Sequence, residues 1–129
     1  MTRAVADTSV FIATETGRSL DTGAFPAELG VSIITIGELR AGVLAADDLS
    51  TRDRRLRTLT SAMGLEPLPV DGVVAEHWAR LRVHLRDTGQ RMGVNDSWIA
   101  ATALANDAAV LTQDDGFPVD LPDLDVIRV

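Results

Sequence analysis

The sequence predicts an α/β fold: one domain over residues 1–129, with a mainly parallel central sheet flanked by helices. Two observations carry this. Runs such as Val31-Ser32-Ile33-Ile34 and Ala109-Val110-Leu111-Thr112 are short, apolar and β-branched, as strands covered on both faces should be. The longer stretches between them space their apolar residues by three and four, which is helical periodicity.

Taken in order, Arg3 to Ala6 reads as the first strand, with Asp7 closing it. A short helix follows from about Ser9 to Glu15, then a loop over 16–24 marked by Gly17 and Gly23. Phe25 to Leu29 is expected to form one helical turn ended by Gly30, and Val31 to Ile34 the second strand. Thr35-Ile36-Gly37-Glu38 matches the capping box that opens a helix, expected from Ile36 to Ala46. Ser50 or Thr51 is expected to cap a further helix to Met63, burying Leu56, Leu59 and Met63 and stopping at Gly64. Leu65 to Val70 carries two prolines and is at best an edge strand. Asp71 caps a long helix to about Asp87, whose buried stripe is Val74, Trp78, Leu81 and Leu85, with Gly89 as its end. After a loop over 90–94, a helix runs from Asn95 to about Ala105, with Asn95 as its cap. Ala109 to Thr112 is a strand, Phe117 to Pro122 a loop, and Leu124 to Val129 the closing strand.

Apolar residues make up 46% of the chain, enough for a normal core and too many for a disordered one. Cysteine is absent, which excludes disulfides and thiolate metal sites and suits a reducing compartment. Charge appears too early at the N-terminus for a signal peptide, and no apolar run is long enough for a membrane span, so a cytoplasmic protein is expected. The net charge of −7 argues at first against a nucleic-acid partner. All 12 basic residues are arginine, however, the better fork for phosphate. The cluster Arg52, Arg54, Arg55 and Arg57 reads first as a solvated helix face and second as a contact for RNA or protein.

Four carboxylates fall where strands end or helices begin: Asp7, Glu38, Asp96 and Asp114. In a parallel α/β sheet these positions share one edge, where ligands bind. Like charges gathered there raise one another's pKa, so a hard divalent cation is the economical way to keep them ionised. Each has a duller reading: Thr8 or Ser9 as a cap beside Asp7, a capping box for Glu38, the helix dipole for Asp96, and a turn for Asp114 with Asp115. Asp96 shares a helical face with Ile99, Ala100 and Ala103, which turns it toward the sheet rather than water.

Four segments, Val5-Ala6-Asp7-Thr8-Ser9, Ser32 to Leu39, Asn95 to Ala103 and Leu111 to Phe117, together resemble the PIN domain, and within it the ribonuclease toxins of VapBC-type toxin–antitoxin pairs. The resemblance spans nearly the whole chain, with the segments in family order. It implies a Mg²⁺- or Mn²⁺-dependent endoribonuclease whose acidic quartet is Asp7, Glu38, Asp96 and Asp114, with Thr8 or Ser9, Thr112 and Asp115 supporting the metal. It also implies a cognate antitoxin, a homodimer or toxin–antitoxin hetero-oligomer, and no membrane. The toxin-binding groove is expected between the helices at 36–46 and 50–63, on Leu39, Val43 and Leu44. Gly116 departs from the pattern, since relatives often carry another Asp before the Phe.

Two other classes compete. Phosphoryl transfer to an aspartate needs a lysine to hold the phosphoryl group, and this chain has none. A catalytically silent PIN-like protein-binding module would use the same acids only as caps.

Overall fold

The structure is a computed structural model describing residues 3–129. Four strands form one parallel sheet in the order β2-β1-β3-β4. These are β1 (Arg3–Ala6), β2 (Glu28–Gly30), β3 (Ala109–Thr112) and β4 (Val126–Arg128). Around them lie α1 (Thr8–Thr16), α2 (Ile33–Leu44), α3 (Leu49–Met63), α4 (Gly72–Thr88) and α5 (Val94–Ala105), with a 3₁₀ turn at Thr22–Ala24. No helix among the described residues is long and apolar enough to cross a membrane.

The central pair has Ala4 opposite Ala109, Val5 opposite Val110 and Ala6 opposite Leu111. Strand alternation then divides the core in two. Val5 and Val110 face α4 and α5, where they pack with Leu81, Leu85, Ile99 and Phe117. Ala4, Ala6, Ala109 and Leu111 face the other way, against Val10 and Phe11 of α1. A third cluster joins α2 to α3 through Leu39, Val43, Leu59 and Ala62.

Several local expectations are corrected. The second strand lies at Glu28–Gly30, where a helical turn was expected, and Val31 to Ile34 is not a strand. Ser32 makes an isolated bridge to Leu68 and then caps α2, its hydroxyl accepting from the Ile34 amide at 3.1 Å. A polar residue inside an apolar run was therefore the helix start, a preference that the β-branched neighbours masked. Glycine suits position 30 because an added Cβ would meet Leu68 Cδ1 at 3.2 Å. Asp48, rather than Ser50 or Thr51, caps α3, accepting from the Thr51 amide at 2.8 Å. Gly93 rather than Asn95 precedes α5. Leu56 and Met63 are exposed, and Ala62 takes the core position beside Leu59. Trp78 is only half-buried and stacks on Trp98, with ring centroids 4.5 Å apart. Asp71 and Gly89 bound α4 as the sequence indicates.

Candidate functional site

The C-terminal ends of β1 and β3 lie side by side, and the Asp7 amide donates to the Leu111 carbonyl at 2.8 Å. This register brings residue 7 next to Thr112. Asp7 is 2% exposed and sits at the N-cap position of α1, yet its carboxylate caps nothing. Instead its Oδ2 accepts from Ser9 Oγ at 2.7 Å and from Thr112 Oγ1 at 3.0 Å. Each hydroxyl has one proton to give. Ser9 Oγ in turn accepts from the Gln113 amide, and Thr112 Oγ1 from the Asp114 amide, both at 3.0 Å. The hydroxyls thus join the buried carboxylate to the turn that carries Asp114.

Glu38 lies more than a turn into α2, so the capping-box reading of Thr35 and Glu38 fails. Its Oε1 accepts from Thr8 Oγ1 at 2.7 Å, and Thr8 Oγ1 lies 2.9 Å from Thr35 Oγ1, which is fully buried. An ionised carboxylate has no proton to offer, so Thr8 donates to Glu38 and Thr35 donates to Thr8. Neither Thr8 nor Ser9 is a helix cap.

Asp96 sits in the first turn of α5, half-buried, above the buried Ile99, Ala100 and Ala103. Burial and the neighbouring carboxylates of Asp7, Glu38 and Asp114 push its carboxyl up to about 6. Burial also raises Asp7, opposed by the Ser9 and Thr112 hydrogen bonds, with Asp114 adding to the rise. Asp96 is thus within electrostatic reach of the other three predicted carboxylates, and Asp7 of Asp114.

Asp115 is not brought among them. Its side chain is fully exposed and its Oδ1 accepts from Arg128 Nη1 at 2.8 Å. Gly116 passes so close to Asp96 that an added Cβ would lie 2.9 Å from Asp96 Oδ2. An acid at 116 would crowd Asp96 and add a fifth like charge. Thr35 and Arg128 were not singled out as site residues by the sequence. Both act through contacts tens of residues away along the chain or across strands, which no local pattern signals.

Among the described residues, no three His, Asp or Glu side chains are gathered tightly enough to form a ready-made metal cage. The donor chemistry nevertheless fits a hard divalent ion: every group is a carboxylate, and burial together with repulsion from its neighbours raises Asp96. Mg²⁺ keeps several waters and takes few protein ligands, so it does not require a closed cage of side chains.

The family model described as PIN domain matches residues 4–119. Ribonuclease VapC5 of Mycobacterium tuberculosis is 51% identical over 113 residues, covering 88% of this chain and 84% of that protein. Ribonuclease VapC4 of the same organism is 48% identical over 128 residues, covering 98% and 97%. A solved structure described as a member of the VapBC family of toxin-antitoxin systems, VapBC-5 from M. tuberculosis, matches 100% of both chains with a TM-score of 0.92 and 44% identity.

Proposed function

The chain belongs to the PIN domain family, as a VapC-type toxin, and we propose that it is a divalent-metal-dependent endoribonuclease formed by one PIN domain over residues 1–129. The observation that carries this is the gathering of carboxylates around Asp96, which Asp7, Glu38 and Asp114 all repel, with the buried Asp7 tied through Thr112 to the turn that carries Asp114. Relatives named as ribonucleases support the nuclease activity.

In this reading Asp7, Glu38, Asp96 and Asp114 hold Mg²⁺ or Mn²⁺. A bound ion supplies Lewis acidity, making a water nucleophilic near neutral pH and offsetting charge on the phosphate. The chain's own groups do the placing. Ser9 and Thr112 fix the buried Asp7 carboxylate, and Thr35 acting through Thr8 fixes Glu38. Asp96, raised by burial and by its three neighbours, is a carboxylate that a cation would stabilise. Water attack on the phosphodiester leaves a 5′-phosphate and a 3′-hydroxyl, and no side-chain nucleophile is required.

A cytoplasmic ribonuclease needs an inhibitor, and VapBC-5 is described as a toxin–antitoxin system. A cognate antitoxin is the partner proposed here, in a hetero-oligomer built on one or two copies of this chain. The docking surface expected between α2 and α3 keeps part of its lining: Leu39 and Val43 pack those helices together, but Leu44 is exposed and Leu39 also lines a groove with Ile12, Gly42 and Arg55. A larger apolar groove, of about 600 Å³, lies between α1, β2 and α3 and is lined by Val10, Phe11, Phe25, Leu29, Arg57 and Leu65.

The test is expression in a bacterial host. Wild-type chain should arrest growth and Asp96→Asn should not, with rescue by the small open reading frame next to the gene. If the wild type arrests growth no more than Asp96→Asn does, the toxin role is wrong.

A further inference from the structure

β4 lies at the sheet edge, with Arg128 opposite Thr112 of β3. Its guanidinium reaches across the end of β3 onto the turn that follows. Nη1 donates to the Asp114 carbonyl and to Asp115 Oδ1, and Nη2 donates to the Phe117 carbonyl at 3.2 Å. All of these acceptors belong to the segment that presents Asp114 and then passes over Asp96 at Gly116. That segment has no helix or strand of its own. A planar fork with five N–H donors can bridge several oxygens at once and hold their relative positions.

We propose that Arg128 is a positioning residue for the reaction: it clasps the turn so that Asp114 faces Asp7 and Asp96, and Asp115 serves as its partner rather than as a ligand in the cleft. The inference rests on the metal-ribonuclease reading given above. Two of the clasp's contacts are to main-chain carbonyls, so losing the Asp115 carboxylate leaves most of it in place. Losing the guanidinium removes all of it.

The experiment compares wild type, Arg128→Gln, Arg128→Lys, Asp115→Asn and Asp114→Asn. Three quantities are read: amide hydrogen exchange of residues 113–117 in metal-free protein, Mn²⁺ affinity by calorimetry, and steady-state RNA cleavage. Arg128→Gln should speed exchange in the turn about tenfold, weaken Mn²⁺ binding and lower kcat by roughly 10-fold, and leave KM for RNA within about twofold. Arg128→Lys should recover part of each loss. Asp115→Asn should stay within about threefold of wild type in all three, unlike Asp114→Asn. The proposal is overturned if Arg128→Gln exchanges and binds Mn²⁺ like wild type, or if it loses thermal stability alone. It is also overturned if Asp115→Asn weakens Mn²⁺ binding as much as Asp114→Asn does. Wild-type protein that binds no Mn²⁺ would sink the metal-ribonuclease reading instead, and the exchange comparison would still report the hold of Arg128 on the turn.

Discussion

Asp96→Asn should abolish RNA cleavage and, in the same protein, raise the stability of the metal-free fold. The activity loss follows from removing one charge that stabilises the reacting phosphate through the cation, an effect worth on the order of 10²–10³ in rate or more. Asp7→Asn, Asp114→Asn and Glu38→Gln should fall in the same range. For Glu38 this is the sharper test, because Ser32 caps α2 and Glu38 has no capping duty for glutamine to preserve. The stability gain has the opposite sign because the Asp96 carboxyl is raised from 3.8 to about 6. Between those values the native state binds more protons than the unfolded chain, so stability falls as pH rises across the window and the penalty is complete above it. Such a rise corresponds to about 3 kcal/mol for a fully screened-off group. Asp96 is half-buried beside open solvent, which brings the expected penalty to about 1–2 kcal/mol. In excess chelator at pH 7.5, Asp96→Asn should therefore melt roughly 3–8 °C above wild type, and the gap should close toward pH 4. A variant that melts lower than wild type at pH 7.5 and still cuts RNA would contradict both halves.

Phe117→Ala should cost about 3–5 kcal/mol, a large part of the 5–15 kcal/mol typical of a domain. Phe117 is in a loop, yet it is fully buried and the largest side chain so enclosed. It packs with Val5, Leu81, Ile99 and Val110, and so pins the turn after β3 to the helix layer of α4 and α5. Alanine would leave a cavity in the cluster that Phe117 shares with Leu121 and Leu124. Thermal unfolding should show a drop of roughly 10–20 °C, and Phe117→Leu only about a third of that. A drop of under 3 °C for Phe117→Ala would mean that the loop repacks and that the turn is not anchored there.

Periodicity and strand-end logic located β1, β3, α4 and the face of α5, because each has an uninterrupted pattern and a clear stop such as Gly89. The region from residue 25 to 36 misled, for a physical reason. Val31-Ser32-Ile33-Ile34 is as β-branched as a strand, but Ser32 pairs with Leu68 for one residue only and then captures the Ile34 amide. Tertiary pairing of Glu28–Gly30 with β1 outweighed the weak helical preference of that segment. At the site, Asp7, Asp96 and Asp114 were legible because their positions at strand and helix ends are local facts, whereas Glu38 lies inside α2 with no strand directly before it, so the family resemblance alone pointed to it. Their supports were not. Thr35 is buried within an apolar helix, and Arg128 lies 13 residues beyond the Asp115 it grips. Asp115 looked like a ligand because it neighbours Asp114, and only the strand order that lays β4 beside β3 shows where it turns.

The most direct test of the central claim is cleavage of RNA by pure wild-type protein as Mg²⁺ or Mn²⁺ is titrated against chelator, with the new ends identified chemically. The account predicts no cleavage in excess chelator, full recovery on adding the ion, and products bearing 5′-phosphate and 3′-hydroxyl ends. Cleavage that persists in excess chelator, or ends carrying a 2′,3′-cyclic phosphate, would contradict it.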